Sequence, residues 1–343
     1  MDFCDLLARS VKQNASDLHL CTGYPPFLRI DGSLQTIEAE PITSRQIDSW
    51  LAMHLPTEAD TLWRQQHQVD FALNLHGGIR LRVNAFQQLH GPSLALRIIP
   101  NTIPTLHDLS APAALPNLLE AGSGLILVCG ATGSGKSTTL AAMLNHINYH
   151  QPWHIITLED PLEFIHIPQQ SLIQQREIGS HVPSFNQALR AALREDPDVI
   201  LLGELRDAES IRLALTAAET GHLVLATLHT RGAAQAVERL IDVFPAEEKN
   251  FVRTQIAGNL RAILAQHLLP KQGGGRVAAF EFLLNTPAVS NLIREEKAHQ
   301  IATVLQTGQR QGMLSFEQDI ARLNAQGILG RIKNDHDHQP ASH

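Results

Sequence analysis

Gly124-Leu-Ile-Leu-Val-Cys-Gly130-Ala131-Thr132-Gly133-Ser134-Gly135-Lys136-Ser137-Thr138 is the stretch on which the reading of this chain turns. Leu125 to Cys129 is an apolar run of strand length, and Thr138-Thr-Leu-Ala-Ala-Met-Leu-Asn145 has the pattern of a helix opening. Between them stands a complete G-x-x-x-x-G-K-[ST] pattern at Gly130, Gly135, Lys136 and Ser137. The glycines let backbone N–H groups close around phosphate oxygens, and the start of a helix adds a favourable partial positive charge. The pattern assigns Lys136 to the β- and γ-phosphates and the Ser137 hydroxyl to Mg²⁺. Residues Gly130 to Thr138 are therefore expected to bind a nucleoside triphosphate.

Two further apolar runs end in carboxylates, where an α/β sheet collects its ligands. His154-Ile-Ile-Thr-Leu158 leads into Glu159-Asp160-Pro161-Leu162-Glu163, and Asp198-Val-Ile-Leu-Leu202 leads into Gly203-Glu204-Leu205-Arg206-Asp207. The second is Walker-B-like, but Gly203 stands where an aspartate is usual, which leaves Glu204 to serve the metal or its water. A third run, Leu223 to Leu228, is bracketed by His222 and His229. His229, at its carboxyl end, is placed either to sense a γ-phosphate or to sit as an ordinary loop histidine.

The 343 residues are enough for two domains, and 43% hydrophobic content supports buried cores. A net charge of -7 argues against a globally basic nucleic-acid protein. Cys4, Cys21 and Cys129 are odd in number and lack CxxC spacing, so neither a disulfide framework nor a zinc site is expected. No run approaches the roughly 20 apolar residues of a membrane span, and Met1 to Asp5 lacks the basic start of a signal peptide. These features predict a cytosolic protein. Of 18 histidines most are scattered singly, and His336, His338 and His343 belong to a polar tail expected to be disordered over 331–343.

Upstream, Asp2 to Asn14 is helical in pattern, and Asp17-Leu20, Phe27-Ile30, Asp70-Leu75, Ile79-Asn84 and Leu94-Ile99 read as strands with turns at Pro25-Pro26 and Gly77-Gly78. Arg80, Arg82 and Arg97 alternate with apolar residues and share the face opposite the core. Residues 1–105 thus read as a small α+β domain, and the proline-bearing segment 106–121 as a linker. Residues 122–330 alternate strand and helix, the sign of a mostly parallel sheet, before turning helical past about 250 except for a strand at Val277 to Leu284.

The loop Gly130–Thr138, the acidic segment Thr157–Glu163, the segment Asp196–Asp207 and Thr220-Gly-His-Leu-Val-Leu-Ala-Thr-Leu-His-Thr230 together resemble the Walker A, Asp box, Walker B and His box of the type II/type IV secretion ATPase superfamily. The Gly-Glu ending of the Walker B is typical there. The resemblance implies a hexameric ring ATPase with a PAS-like N-terminal domain and a RecA-like C-terminal domain, using ATP and Mg²⁺. Within the superfamily the chain resembles most the type IV pilus retraction ATPases, which drive twitching motility. It starts its N-terminal domain at once at Ser16-Asp-Leu-His-Leu20, it lacks a four-cysteine metal element, and Ala288-Val-Ser-Asn-Leu-Ile-Arg-Glu295 is similar to the retraction signature AIRNLIRE. Gly312-Met-Leu-Ser-Phe-Glu-Gln318 is similar to the region that follows. Val289-Ser290 departs from the signature's Ile-Arg.

The resemblance further implies Glu163 as the general base, with Glu159 competing, Glu204 ordering the Mg²⁺ shell alongside Ser137, and Arg82 and Arg97, with Arg80 weaker, acting on a neighbour's ATP. The partners implied are five further copies and the cytoplasmic part of an inner-membrane pilus platform protein, which would hold the ring at the inner face of the membrane; no nucleic acid is expected. Three other readings stay open: an assembly or type II secretion ATPase, a nucleotide-binding subunit modulating a paralogous motor, and a DNA-pumping ring, against which the acidic balance weighs.

Overall fold

The computed structural model describes residues 3–30, 32–75, 79–99 and 102–330. The chain divides into two compact units, Met1–Thr102 and Ile103–His343. The Gly77-Gly78 turn and the tail 331–343 lie outside the described residues.

In the first unit the strands are β1 (Asp17–Cys21), β2 (Phe27–Ile30), β3 (Ser33–Thr36), β4 (Gln68–Asn74), β5 (Arg80–Gln88) and β6 (Gly91–Ile99). They form one antiparallel sheet in the order β3-β2-β1-β6-β5-β4. Alternation decides its faces: Leu18, Leu20, Leu81, Val83 and Leu96 point inward against Leu6, Leu7, Ile47 and Trp50 of the helices Phe3–Lys12 and Ser44–His54. The second of these helices starts on a capping box, Thr43 with Gln46. The intervening residues, Arg82 and Arg97 among them, take the outer face.

The second unit holds β7 (Gly124–Cys129), β8 (His154–Glu159), β9 (Leu172–Glu177), β10 (Val199–Leu202), β11 (Leu223–Leu228), β12 (Leu260–Pro270) and β13 (Arg276–Leu284), ordered β13-β12-β7-β11-β10-β8-β9. All neighbours run parallel except β13, which is antiparallel to β12. Helices cover both faces, so β7, β10 and β11 are buried along their whole lengths. Leu125, Leu127 and Cys129 pack into the core on one side, Ile126 and Val128 into that on the other.

Two expectations are corrected here. The segment 106–121 is not a linker: Leu106, Leu115 and Leu119 are buried with Ile126, Leu140 and Met143, and Leu115–Leu119 is a short helix. Its prolines interrupt regular structure, yet its leucines have apolar surface to cover. The region past 250 is not simply helical either. Leu260-Arg-Ala-Ile-Leu-Ala-Gln-His-Leu-Leu-Pro270 is an eleven-residue strand inside the sheet. Its leucines and alanines favour helix in isolation. Pairing with β7 on one side and β13 on the other overrides that preference.

The last described helix, Phe316–Ala325, is fixed to β13 by one buried carboxylate. Asp319 is 0% exposed, accepts the Phe280 N–H at 2.8 Å and pairs with Arg322 at 2.7 Å. Replacing Asp319 by Ala leaves the Phe280 donor buried without a partner and Arg322 without its anion. Urea unfolding should show a loss of about 3 kcal/mol for Asp319→Ala, whereas an exposed-site control such as Glu317→Ala should stay within about 0.5 kcal/mol.

Candidate nucleotide site

Gly130 to Gly135 turns from β7 into the helix Lys136–His150, and three of its glycines have left-handed backbone: Gly130 (φ 154), Gly133 (φ 76) and Gly135 (φ 90). At Gly130 the constraint is also one of space, since a Cβ there would stand 2.4 Å from Ser134 Oγ and 2.7 Å from the Gln266 carbonyl. The loop is therefore drawn tightly over β12. Lys136 is 9% exposed, and its ammonium donates to the Gly130 and Ala131 carbonyls at 2.9 and 3.1 Å. Burial lowers the pKa of this ammonium, while Glu204 and Glu163 act to keep it charged. Ser134 Oγ is buried without a protein partner. A cradle that a Cβ would fill, an enclosed cation held by its own loop, an unsatisfied hydroxyl and a long helix directed away from the loop are what a chain of phosphates requires.

Because β7, β8, β10 and β11 are parallel, their carboxyl ends share one edge of the sheet. Glu204, just past β10, accepts from Arg206 Nε at 2.8 Å on one oxygen, and its other oxygen lies 3.2 Å from His229 Nε2, just past β11. The two strand ends are joined a second time through Thr227, whose hydroxyl donates to the Gly203 carbonyl. Gly203 packs against the end of β8, where its Cβ would stand 3.4 Å from the Leu158 carbonyl. Glu159 is held by Thr157 Oγ1 at 2.8 Å and Gln175 Nε2 at 3.4 Å, and burial raises its pKa. Glu163 is exposed, four residues beyond it. Lys136, Glu163, Glu204 and His229 thus gather at the strand ends of one unit.

Arg82 and Arg97 belong to the other unit. They are register partners on β5 and β6. Arg97 pairs with Asp17 at 3.0 Å and remains 62% exposed, while Arg80 lies two residues along β5 from Arg82.

A family model described as type II/IV secretion system protein matches residues 4–273. The type IV pilus retraction ATPase PilT of Pseudomonas aeruginosa is 46% identical over 96% of this chain and 96% of its own. The chain belongs to the PilT family of secretion ATPases. The uncharacterized protein YggR of Escherichia coli is 57% identical over 96% of this chain and its own full length. A crystal structure of the pilus retraction motor PilT with bound ADP superposes with a TM-score of 0.87 at 40% identity, covering 96% of this chain and 95% of that one. As a member of this ATPase family the chain is a nucleotide-binding protein. Among the described residues no helix is long and apolar enough to cross a membrane, and no His, Cys, Asp or Glu cluster could hold a metal by itself.

Sequence reasoning missed one residue of this PilT-family site. Gln266, 1% exposed in β12, donates to the Ser134 carbonyl at 2.6 Å, and a Cβ at Gly135 would stand 3.1 Å from its amide nitrogen. A glutamine directly after the apolar Ala262–Ala265 was the available signal, but it has meaning only once the run is a strand. Cys129 is ruled out of the chemistry, since burial pushes its thiol up to about 12.

The loop carrying Glu163 also contains a pH-sensitive group. Burial lowers the His166 pKa to about 4 against an ordinary value of 6.5. The unfolded chain therefore binds the extra proton first as pH falls, so the stabilisation is complete above pH 6.5 and is lost progressively as pH falls from about 6.5 to about 4. Chemical denaturation between pH 7 and 4 should show this loss, of order 2–3 kcal/mol, and His166→Gln should remove that part of the slope.

Proposed function

We propose that this chain is an Mg²⁺-dependent ATPase motor that assembles as a homohexameric ring and drives retraction of type IV pili. In this reading the first unit is a PAS-like domain and the second a RecA-like ATPase domain. One observation carries the catalytic part: the carboxylate of Glu204 stands between Arg206 and His229 at the strand ends facing the enclosed Lys136. A bare phosphate-binding loop needs no such acid–histidine pairing. In a hydrolase such a pair can couple the group that senses the terminal phosphate to the group that manages the metal's water.

Ser137 and Glu204 would hold Mg²⁺, which when bound neutralises charge on the transferring phosphoryl group. Lys136 would leave the Gly130 and Ala131 carbonyls for the phosphate oxygens. Glu163 would accept the proton of the attacking water, since it is exposed and electrostatically linked to Lys136, while Glu159 is buried and held by Thr157, Gln175 and the Glu163 backbone. His229 would respond to the γ-phosphate through its contact with Glu204. Arg82 and Arg97 would add positive charge from the first unit of a neighbouring copy.

The pilus assignment rests on the family and on the helix Pro287–Arg294. Its Val289 and Ile293 are buried while Asn291, Arg294 and Glu295 are exposed, as a partner-facing element requires. The partner is the cytoplasmic part of an inner-membrane platform protein, so the ring works in the cytoplasm at the membrane's inner face. An accessory role beside a paralogous motor is favoured by one detail. Ser290, which replaces the signature's arginine, bonds inward to the Ala257 carbonyl at 2.9 Å and to Asn285 at 3.0 Å, leaving that position without a cation.

Phosphate release by the purified ring should fall at least about 100-fold in Glu163→Gln while Mg-ATP binding persists, a barrier rise of about 3 kcal/mol. The opposite ranking, with Glu159→Gln dead and Glu163→Gln active, would make Glu159 the base. Arg82→Ala and Lys136→Ala rings should each be inactive, yet mixing them under subunit exchange should restore some turnover, because a mixed ring contains complete sites. No recovery despite exchange verified by mass removes Arg82 from the neighbour's site. In a host that makes pili, deletion should give long, unretracted pili and no twitching, and Arg294→Ala should reproduce that phenotype with ATPase turnover within about two-fold of the parent. Bald cells would identify an assembly motor instead, and unchanged pili and motility an accessory one.

A further inference from the structure

The outer face of the first unit's sheet contains a cavity of about 390 Å³, within the range of small-molecule pockets. Its walls are apolar and largely aromatic: Phe27 and Leu34 on one side, Phe86 on the other, with Tyr24 and Leu34 about half exposed at its mouth. Three of its lining residues carry polar atoms without partners. Ser93 is 0% exposed and its hydroxyl makes no hydrogen bond. The Gln88 amide is oriented by the His90 N–H, which donates to its oxygen at 3.1 Å, so its NH₂ group is left buried and unpaired. His19 Nε2 is likewise buried without a partner, and burial lowers its pKa, holding the ring neutral. Three residues that line the cavity thus each carry a buried polar atom without a partner, a costly arrangement that a ligand reaching them would relieve.

The charge beside the cavity narrows the ligand. Arg29 lines it, and in register across the sheet run Arg29, Asp17, Arg97 and Arg82, so three cations face one carboxylate already paired with Arg97. Arg29 donates one N–H to the Gly32 carbonyl at 2.9 Å and has further donors to offer. Flat apolar walls, deep hydrogen-bonding groups and a guanidinium at the side describe a particular chemistry. We propose that this cavity binds a planar aromatic acid, with its ring between Phe27 and Phe86, a polar ring substituent at Ser93 and Gln88, and its carboxylate on Arg29.

The probe is 6-hydroxy-2-naphthoate, titrated by its own fluorescence against the full-length protein with ADP present to fill the nucleotide site. Saturable binding at one per chain is expected, with a dissociation constant on the order of 1 mM for a ligand this small. Arg29→Gln should weaken it about tenfold while leaving 2-naphthol, which lacks the carboxylate, unchanged. Ser93→Ala should weaken it about threefold and leave 2-naphthoate, which lacks the hydroxyl, unchanged. Leu34→Trp, at a half-exposed site that should tolerate the change, blocks the mouth and should abolish binding of all three. Far-UV circular dichroism and thermal unfolding like the parent's qualify each variant. Absence of saturable binding to the parent protein, or binding indifferent to Leu34→Trp and Arg29→Gln, overturns the proposal.

Discussion

An ammonium group enclosed in a protein has to be surrounded by oxygen, and in this fold that requirement falls on Lys136. Its chain neighbours supply two carbonyls, from Gly130 and Ala131. The compensating charge comes from Glu204 and Glu163, far away in sequence. A sheet whose strands run in parallel brings such distant residues to one edge, and covering both faces buries the strands that carry them. In the order β12-β7-β11-β10-β8 the ends of β8, β10 and β11 lie on the same edge as the loop that follows β7. β7 sits between its partners, carries the loop and leaves no polar side chain in its own run, Leu125 to Cys129.

The same edge explains how the motif residues divide their labour. Glu204 faces both Arg206 and His229, so its carboxylate is fixed by two cationic or hydrogen-bonding groups from two loops. Glu159 is anchored by Thr157 and Gln175 and frames the loop in which Glu163 stands exposed. Gly203 departs from the usual acidic residue at a place where the chain runs close beside β8.

Much of this was legible in the residues. The phosphate loop has a local signature, and β7, β8, β10 and β11 are short apolar runs whose burial on both faces gives them away. The carboxylates and His229 could be named because they directly follow those runs. What escaped depends on long-range pairing. β12 is made of residues that favour helix, and only its neighbours β7 and β13 make it a strand, so Gln266 could not be connected with Gly130 or Ser134. Likewise the prolines of 106–121 announce irregular backbone, but they do not announce that Leu106, Leu115 and Leu119 are buried.

Gln266 has a mechanical consequence. Its side chain grips the Ser134 carbonyl, its backbone is in register with Phe280, the Phe280 amide is bonded to Asp319, and Asp319 holds Arg322, which reaches the Ser110 carbonyl at 3.3 Å. Gln266, Phe280 and Asp319 are each 1% exposed or less, so as far as Asp319 this series of contacts runs through packed interior and has little slack. It forms a load path from the phosphate loop to the first residues of the second unit, some 24 positions upstream of Ser134 in sequence. In the ring motor proposed above, stiffness between those two points would set how much of a stroke is delivered and how much is absorbed as internal strain.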